Sequence, residues 1–274
     1  MFDASEKTGP LQRARGEASV ALSHRGGRTR LDRLQQAGCA KAFLPRVTGA
    51  PEVVFLNTAG GLTGGDRLAY RLELGQGAEA AGTTQTAERA YASAGGAAEV
   101  AVSLSAGPGA TLHWLPQETI LFDRSAVDRR SRIDLAADAR LVMCETLVLG
   151  RAAMGESVAT LALRDRREVR RAGRPVLIDP VEIGAGALAR RDTPAALDGA
   201  RAHALLAVVA PGAEDALGPL RALLPGEGVR AAASAWDGRC LVRLMAADAM
   251  PLRLALARLV AHLRGGRLPR VWQV

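Results

Sequence analysis

Residues 57–67 read NTAGGLTGGDR and lie between two hydrophobic runs, VVFL at 53–56 and LAYRL at 68–72. Four glycines within six positions exclude the interior of a helix or strand, because glycine loses the most backbone entropy when such an element forms. The segment is therefore predicted to be a tight loop with an exposed backbone. The run after it alternates with the period of a half-buried strand, with an apolar phase of Leu68, Tyr70, Leu72 and Leu74.

The spacing of the glycine loop is similar to that of a phosphate-binding loop. Gly60 and Gly65 occupy the glycine positions of G-x-x-x-x-G-K-[ST], but Asp66 and Arg67 replace the Lys-Ser/Thr pair. A carboxylate that faced phosphate oxygens would repel them. Leu62 also interrupts the G-x-G-x-x-G pattern of dinucleotide-binding loops. Nucleotide binding is therefore disfavoured, and a plain glycine turn is the simplest interpretation.

Short strands separated by frequent turns are predicted from Ala18 to about Ile183. Val100, Val102 and Leu104 repeat the period-two alternation of the run after the glycine loop. Glycine or proline clusters follow at short intervals, at 75–77, 94–96, 107–109 and 173–175. This pattern predicts a mainly-β fold.

A weak internal repeat of about thirty residues runs through this region. Each copy passes from an apolar-polar-apolar triplet to an alanine: 72–74 to Ala78, 102–104 to Ala110 and 133–135 to Ala139. Counting on from each alanine reaches the triplets Thr83-Thr84-Gln85, Leu115-Pro116-Gln117 and Cys144-Glu145-Thr146. If the copies stack as an elongated, β-solenoid-like body, these triplets lie side by side. Chance similarity in a sequence rich in Ala, Gly and Leu is the alternative.

The pattern changes near residue 200. An apolar strand at 204–209, a helix at 214–224, a hairpin at 229–245 and a helix at 251–263 are predicted in that order. The β-α-β-β-α order suggests a small α+β lobe at 201–274, packed on a mainly-β body at 1–200 within one integrated domain.

Composition disfavours a nucleic-acid partner. The net charge is +8, but only Lys7 and Lys41 are lysines, and the arginines are scattered apart from the cluster at 164–174. Aromatic residues make up 3% of the chain, so side chains that could stack on bases are scarce.

Cysteine spacing and the absence of long apolar runs predict a cytoplasmic protein without a membrane partner. Cys39, Cys144 and Cys240 are too widely spaced for a C-x-x-C motif or a disulfide framework. The first residues show no apolar signal segment, and no run approaches the ~18 apolar residues of a membrane span.

Three carboxylates among glycines or apolar residues are the leading candidates for chemistry. Asp66 ends the glycine loop, Glu145 interrupts an apolar run, and Glu156 follows a glycine. Each carboxylate needs a partner if buried, and Arg151 is near in sequence. Structural ion pairs are one interpretation, and transient oxygen ligands for a divalent cation are the other. The four histidines show no metal-ligand spacing.

Five motifs in one order resemble the urease accessory protein UreD family, also called UreH. They are NTAGGLTGGD at 57–66, TTQ at 83–85 running to YAS at 91–93, LPQETILF at 115–122, Glu145 through LGR at 149–151 to GE at 155–156, and PRVW at 269–272. The resemblance extends from residue 41 to the C-terminus and implies an unusual, mainly-β fold.

The resemblance also implies a non-enzymatic chaperone that delivers nickel to apo-urease. The expected partners are urease, a helical UreF-type accessory protein and, through it, a nickel-binding UreG-type GTPase. No tightly bound cofactor is expected, only nickel in transit through an internal passage, with Asp66, Glu145 and Glu156 as candidate ligands. A structural or interface role is expected for Asn57, Gly60, Gly61, Gly64, Gly65, Thr83, Thr84, Gln85, Gln117 and Arg151.

Two alternatives come from other classes of protein. The first is an enzyme that binds an anionic substrate at the glycine loop, against which the missing lysine and the lack of an assembled catalytic base both count. The second is a purely structural β-scaffold.

Overall fold

The computed structural model describes residues 12–272, and strands dominate them. The strands are β1 (Arg15–Arg25), β2 (Arg28–Gly38), β3 (Ala40–Phe43), β4 (Glu52–Asn57), β5 (Arg67–Leu74), β6 (Glu79–Thr84), β7 (Glu88–Ala90), β8 (Ala98–Ala106), β9 (Thr111–Trp114), β10 (Thr119–Leu121), β11 (Ala126–Leu135), β12 (Arg140–Leu149), β13 (Ala162–Arg171), β14 (Arg174–Ile183), β15 (Ala202–Val209), β16 (Val229–Trp236) and β17 (Arg239–Ala246). The α-helices are α1 (Ala185–Ala189), α2 (Leu217–Ala222) and α3 (Ala249–Leu263), and short 3-10 turns lie at Ala152–Met154, Ala213–Ala216 and Arg270–Trp272.

The strands form two sheets, of seven and ten strands. The smaller sheet has the order β14-β13-β11-β8-β5-β1-β2, and the larger has β16-β17-β15-β12-β9-β6-β4-β3, with β7 and β10 attached at its side. From β4 to β13 the main strands alternate between the sheets, and neighbours within each sheet are parallel. The chain therefore winds in successive coils, which confirms the predicted β-solenoid-like body.

The internal repeat corresponds to these coils, with one error in register. Leu72 of β5 lies opposite Leu104 of β8, and Leu104 lies opposite Ile133 of β11. The prediction had matched Leu72 with Val102, which instead lies opposite Tyr70. An alternation with a period of two is unchanged by a two-residue slip, so the pattern alone could not fix this register.

The polar triplets lie on neighbouring strands, as predicted. Trp114 lies opposite Gly82 on one side and Met143 on the other, so the triplets that follow these residues begin at one level. The Thr83 hydroxyl donates to the Leu115 carbonyl at 2.6 Å, which joins two of the triplets directly. Stacking of the coils, rather than chance similarity, therefore explains the repeat.

The ten-stranded sheet separates two hydrophobic cores. The larger core fills the space between the sheets and contains an aromatic cluster of Phe55, Tyr70 and Trp114, with the Phe55 and Tyr70 ring centroids 4.9 Å apart. The smaller core lies beneath α2 and α3, which bury Leu220, Leu252 and Leu256 there. Because side chains alternate across a strand, β12 is buried on both faces.

The C-terminal elements follow the predicted β-α-β-β-α order. The hairpin between β16 and β17 turns at Asp237 and Gly238, which have φ of 45° and 74°, as a two-residue turn of this kind requires. Asp248 caps α3 by accepting a 2.8 Å hydrogen bond from the Met250 amide. Since β15 pairs with β12, the large sheet continues through this region, and a division at residue 200 stays a prediction. No helix within residues 12–272 combines the length and apolar character needed to cross a membrane.

Candidate functional site

Four sequence motifs meet at one end of the coils, here called the motif end and defined as residues 57–66, 85–93, 115–123 and 150–156. These segments follow β4, β6, β9 and β12, which run parallel in the larger sheet. Parallel strands finish at the same edge, so their loops become neighbours. The motifs are separate in the chain but form one continuous region of the fold.

The glycine loop is shaped by close backbone contact with residues 89–96. The Leu62 amide donates to the Arg89 carbonyl at 2.7 Å, and the Tyr91 amide donates back to the Leu62 carbonyl at 2.8 Å. A Cβ atom on Gly61 would lie 2.6 Å from the Arg89 oxygen, so only glycine fits there. The loop is therefore a packed turn. Close contact explains Gly61 and Gly64, and positive φ explains Gly60 and Gly65, so no bound phosphate is needed to account for the glycines.

Asp66 fastens the glycine loop to the start of β1. Its side chain is buried, Oδ1 accepts from the Ala14 amide at 2.8 Å, and Oδ2 accepts from the Thr63 amide at 2.8 Å. Both oxygens thus already have backbone donors, which is the arrangement of a turn cap. A role for Asp66 in nickel handling stays a prediction, and it would require these bonds to open.

A chain of side-chain contacts links the glycine loop to residues 150–156. The Tyr91 hydroxyl donates to the Gly60 carbonyl at 3.3 Å, and the Tyr91 and Phe122 rings meet edge to face at 5.0 Å. The Arg151 guanidinium lies 4.3 Å from the centre of the Phe122 ring. Arg151 also pairs with Glu156 at 2.9 Å, and its hydrogen bond lowers the pKa of that carboxylate. Arg151 is therefore the partner of Glu156 and not of Glu145.

The triplets at 83–85 and 115–117 connect two neighbouring coils to each other and to the C-terminal motif. The Gln117 amide donates to the Thr84 hydroxyl at 2.9 Å, and the Gln117 side chain donates to the Val271 carbonyl at 3.1 Å. Trp272 donates its ring N–H to the Leu115 carbonyl at 2.9 Å, so the C-terminal motif packs on the same segment. Gln85 is exposed at the surface of this end.

Glu145 lies inside the fold, beside a cavity of about 40 Å³ between the sheets, here called the chamber. At ~10–15 Å³ for each water, this volume has room for about three molecules. The carboxylate is 1% exposed, and its Oε1 accepts from the Trp114 ring N–H at 3.0 Å. Its Oε2 lies 3.0 Å from Arg129 Nη1 but accepts no well-directed hydrogen bond from any residue that the structure describes. One carboxylate oxygen therefore keeps lone pairs available. The polar side chains that line the chamber are Tyr70, Thr84, Glu88, Gln117, Thr119, Arg129 and Glu145.

A buried ion network extends from the chamber toward the surface. Arg129 donates to both oxygens of Asp165, at 2.9 and 2.6 Å, and to the Thr119 hydroxyl at 3.1 Å. Arg167 is completely buried between Asp165 and Asp179, and Arg243 reaches Asp179 from the protein surface. Burial raises the pKa of Asp165, but Arg129 and Arg167 lower it by more and hold it at about 2.

Sequence reasoning missed these interior charges, although their phase in the strands was visible. Arg129 lies on the same buried face of β11 as Val127 and Ile133. Asp165 and Arg167 fall in the apolar phase of β13 in the same way. A charged residue in the inward phase of a strand must meet an opposite charge inside. Reading phase as well as residue type would have pointed to this network.

Glu88 connects the chamber to the glycine loop. Its Oε1 accepts from the Asn57 amide group at 3.3 Å, and Asn57 also donates to the Gly61 carbonyl at 3.0 Å. Burial raises the pKa of Glu88 to about 7, against smaller opposing effects of Asn57 and the nearby arginines. Glu88 therefore exchanges its proton near neutral pH.

Replacing Glu88 by Gln should make the protein more stable at pH 8 but not at pH 4. The raised folded-state pKa means that ionising Glu88 costs stability, and this cost develops as the pH rises from about 4.5 to 7. The full shift corresponds to about 3 kcal/mol, and partial exposure reduces the expected gain to roughly 1–3 kcal/mol. Urea unfolding of both proteins at pH 4 and 8 measures the difference. Glu99→Gln, at an exposed ion pair with Arg67, is the control, and equal changes in the two variants would contradict the prediction.

The three acids singled out from the sequence do not form one site. Asp66 binds backbone amides, Glu145 borders the chamber, and Glu156 binds Arg151 together with the amide of Asp123 at 3.1 Å. Within residues 12–272 no group of three or more His, Cys, Asp or Glu side chains is arranged to hold a metal ion.

Residues 14–273 match the family model described as UreD urease accessory protein. The chain belongs to the UreD family. A urease accessory protein UreD from Cereibacter sphaeroides is 58% identical over 264 residues, 96% of each chain. Those from Jannaschia sp. and Rhizobium leguminosarum bv. trifolii are 53% and 45% identical over the full length of both chains. Membership of the UreD family gives this chain a role in urease maturation, as the resemblance implied.

Proposed function

We propose that this chain is a non-catalytic chaperone that binds apo-urease in the cytoplasm and passes nickel, as cargo, through its interior to the urease active site. The observation that carries this proposal is the Glu145 carboxylate in the chamber, with one oxygen that accepts no directed hydrogen bond. Divalent nickel accepts oxygen ligands but favours imidazole and thiolate where they are available. A weak oxygen ligand therefore suits an ion in transit to a stronger site.

Neighbouring charges would keep the binding of nickel in the chamber weak. Arg129, 3.0 Å from Glu145, opposes a second positive charge, while Asp165 compensates Arg129 from its other side. Glu88, with a pKa of about 7, would release its proton when nickel arrives and regain it when nickel leaves. The interior can then accept a cation briefly without a permanent change of charge.

The motif end is the surface that we assign to protein partners. It presents Tyr91, 41% exposed, and Met154, 73% exposed, beside the Arg151–Glu156 pair. A rim of exposed apolar and charged side chains on a rigid scaffold is typical of a protein interface. The partners proposed are apo-urease and a helical UreF-type protein, which brings a nickel-binding UreG-type GTPase into the complex.

Deleting this chain from a urease-producing cell should leave the urease subunits synthesised but poor in nickel and inactive. Nickel per purified active site, measured by elemental analysis, and urease activity both test this expectation. Restoring the chain should recover both quantities. Full nickel loading without it at ordinary nickel concentrations, or turnover of a small substrate by the purified chain alone, would refute the chaperone proposal.

A further inference from the structure

A large polar basin lies at the opposite end of the coils from the motif end. One wall is formed by the first residues of four parallel strands: Glu52 of β4, Glu79 of β6, Thr111 of β9 and Arg140 of β12. The other wall is the end of α3 and the segment after it, residues 263–268, together with Arg270. The basin is open and has a volume of about 940 Å³. This strand-start basin shares no lining residue with the chamber.

Positive charge is in excess in the strand-start basin. Among the described residues, its lining carries four arginines but only two carboxylates, Glu52 and Glu79. One oxygen of Glu52 is already used, since it accepts from the Arg270 backbone amide at 2.9 Å. Within the described part of the chain, none of the four guanidiniums forms an ion pair with a carboxylate. The arginines are Arg140, Arg264, Arg267 and Arg270.

Two buried polar groups of the basin also lack partners. The His113 side chain is 6% exposed, and its Nδ1 has no hydrogen-bond partner among residues 12–272. Its Nε2 lies 3.9 Å from Glu79, too far for a hydrogen bond. The Nε atom of Arg264 is also buried and has no hydrogen-bond partner in the described part of the chain. Burial, assisted by Arg264 and Arg140, lowers the pKa of His113 to about 3, so its ring is neutral with one N–H to donate. Unpaired buried polar atoms are costly and uncommon, and a bound anion could accept the N–H of Arg264 and the single N–H of His113.

We propose that the strand-start basin binds a small inorganic oxyanion of the phosphate type, held by Arg140 and Arg264 with His113 as an additional donor. Guanidinium groups match the oxygen geometry of such anions and bind them with charge-assisted hydrogen bonds. The surplus of arginines opposes a metal cation at His113 and Glu79. Among residues 12–272 no Phe, Tyr or Trp side chain lines the basin, so a nucleotide base would find none of these rings to stack on.

Titration of the full chain with inorganic phosphate, followed by calorimetry and by NMR of the His113 ring, tests the proposal. The comparison titrant is chloride at matched ionic strength. Saturable binding that shifts the His113 signals is expected for phosphate and not for chloride. Because this measurement uses the unaltered protein, it does not depend on how any variant folds. An absence of saturable binding, or binding that leaves the His113 signals unchanged, would overturn the site.

A pair of double variants locates the binding. Arg140→Gln with Arg264→Gln should weaken phosphate binding at least tenfold. Arg164→Gln with Arg166→Gln removes the same charge from exposed positions of β13 and should leave the affinity unchanged. Equal affinities in the two double variants would overturn the proposal. A nucleoside diphosphate that bound more than tenfold tighter than phosphate would also overturn it, since the basin would then recognise a larger ligand.

Discussion

Replacing Asp165 by Asn is expected to lower the free energy of unfolding by about 3–5 kcal/mol. The side chain is completely buried and accepts hydrogen bonds from both Arg129 and Arg167. Asparagine keeps the shape but removes the charge, so two buried guanidiniums lose the carboxylate between them. Urea unfolding at pH 7 measures the loss.

Asp128→Asn is the matched control for this prediction. Asp128 lies on the neighbouring strand β11 and pairs at 3.3 Å with the exposed Arg130, so its loss should cost less than about 1 kcal/mol. The pKa of Asp165, about 2 against an ordinary value of 3.8, adds a second measurement. The stability that the ionised Asp165 contributes is complete above about pH 4 and is lost as the pH falls toward 2. The difference between wild type and Asp165→Asn should therefore shrink in acid. Equal losses of stability for Asp165→Asn and Asp128→Asn would contradict the prediction that the buried ion network stabilises the fold.

Strands β5 and β8 of the smaller sheet were predictable because each has one buried and one exposed face. In β5 the buried Leu72 and Leu74 alternate with Arg71 and Glu73, and this contrast is readable in the sequence. The central strands β12 and β15 of the larger sheet lie between two cores and are apolar runs in the sequence. The alternation of the chain between two sheets left no local pattern, because it depends on which strands pair. For the same reason Val102 was placed two residues out of register.

Of the candidate site, Glu145 was predictable from the sequence, but its neighbours and their pairings were not. Glu145 is conspicuous in the sequence as a carboxylate in an apolar run, and Arg151 is near it in sequence as a possible partner. The strand ends at Leu149, however, and Gly150, with φ of 71°, turns the chain out of the sheet. Arg151 therefore lies at the motif end, whereas Glu145 points inward to Arg129 on the opposite sheet. Only the packing of the two sheets brings that pair together, and a local pattern cannot show such a contact.

Replacing Glu145 by Gln is expected to reduce the nickel content of urease severalfold while the chain still folds and binds its partners. Glutamine can still accept from the Trp114 ring N–H, and Arg129 keeps its two hydrogen bonds to Asp165. The stability loss should therefore be about 1–2 kcal/mol, smaller than for Asp165→Asn. What the substitution removes is the charged oxygen in the chamber that we assign to nickel. Nickel per urease active site and the melting temperature, both measured for the same variant, test these expectations.

A stability loss alone could also reduce urease maturation, so the comparison requires a variant that is destabilised elsewhere. Val242→Ala removes two buried methyl groups from the smaller core, on the far side of the larger sheet from the chamber, and should cost about 1–3 kcal/mol. If nickel transfer depends on the Glu145 carboxylate, Glu145→Gln reduces nickel loading and Val242→Ala does not. If the carboxylate serves only its ion pair with Arg129, the two variants lower loading equally, or neither does. Either of these last two outcomes would exclude Glu145 from the nickel route, because its charge would then not be needed for nickel transfer.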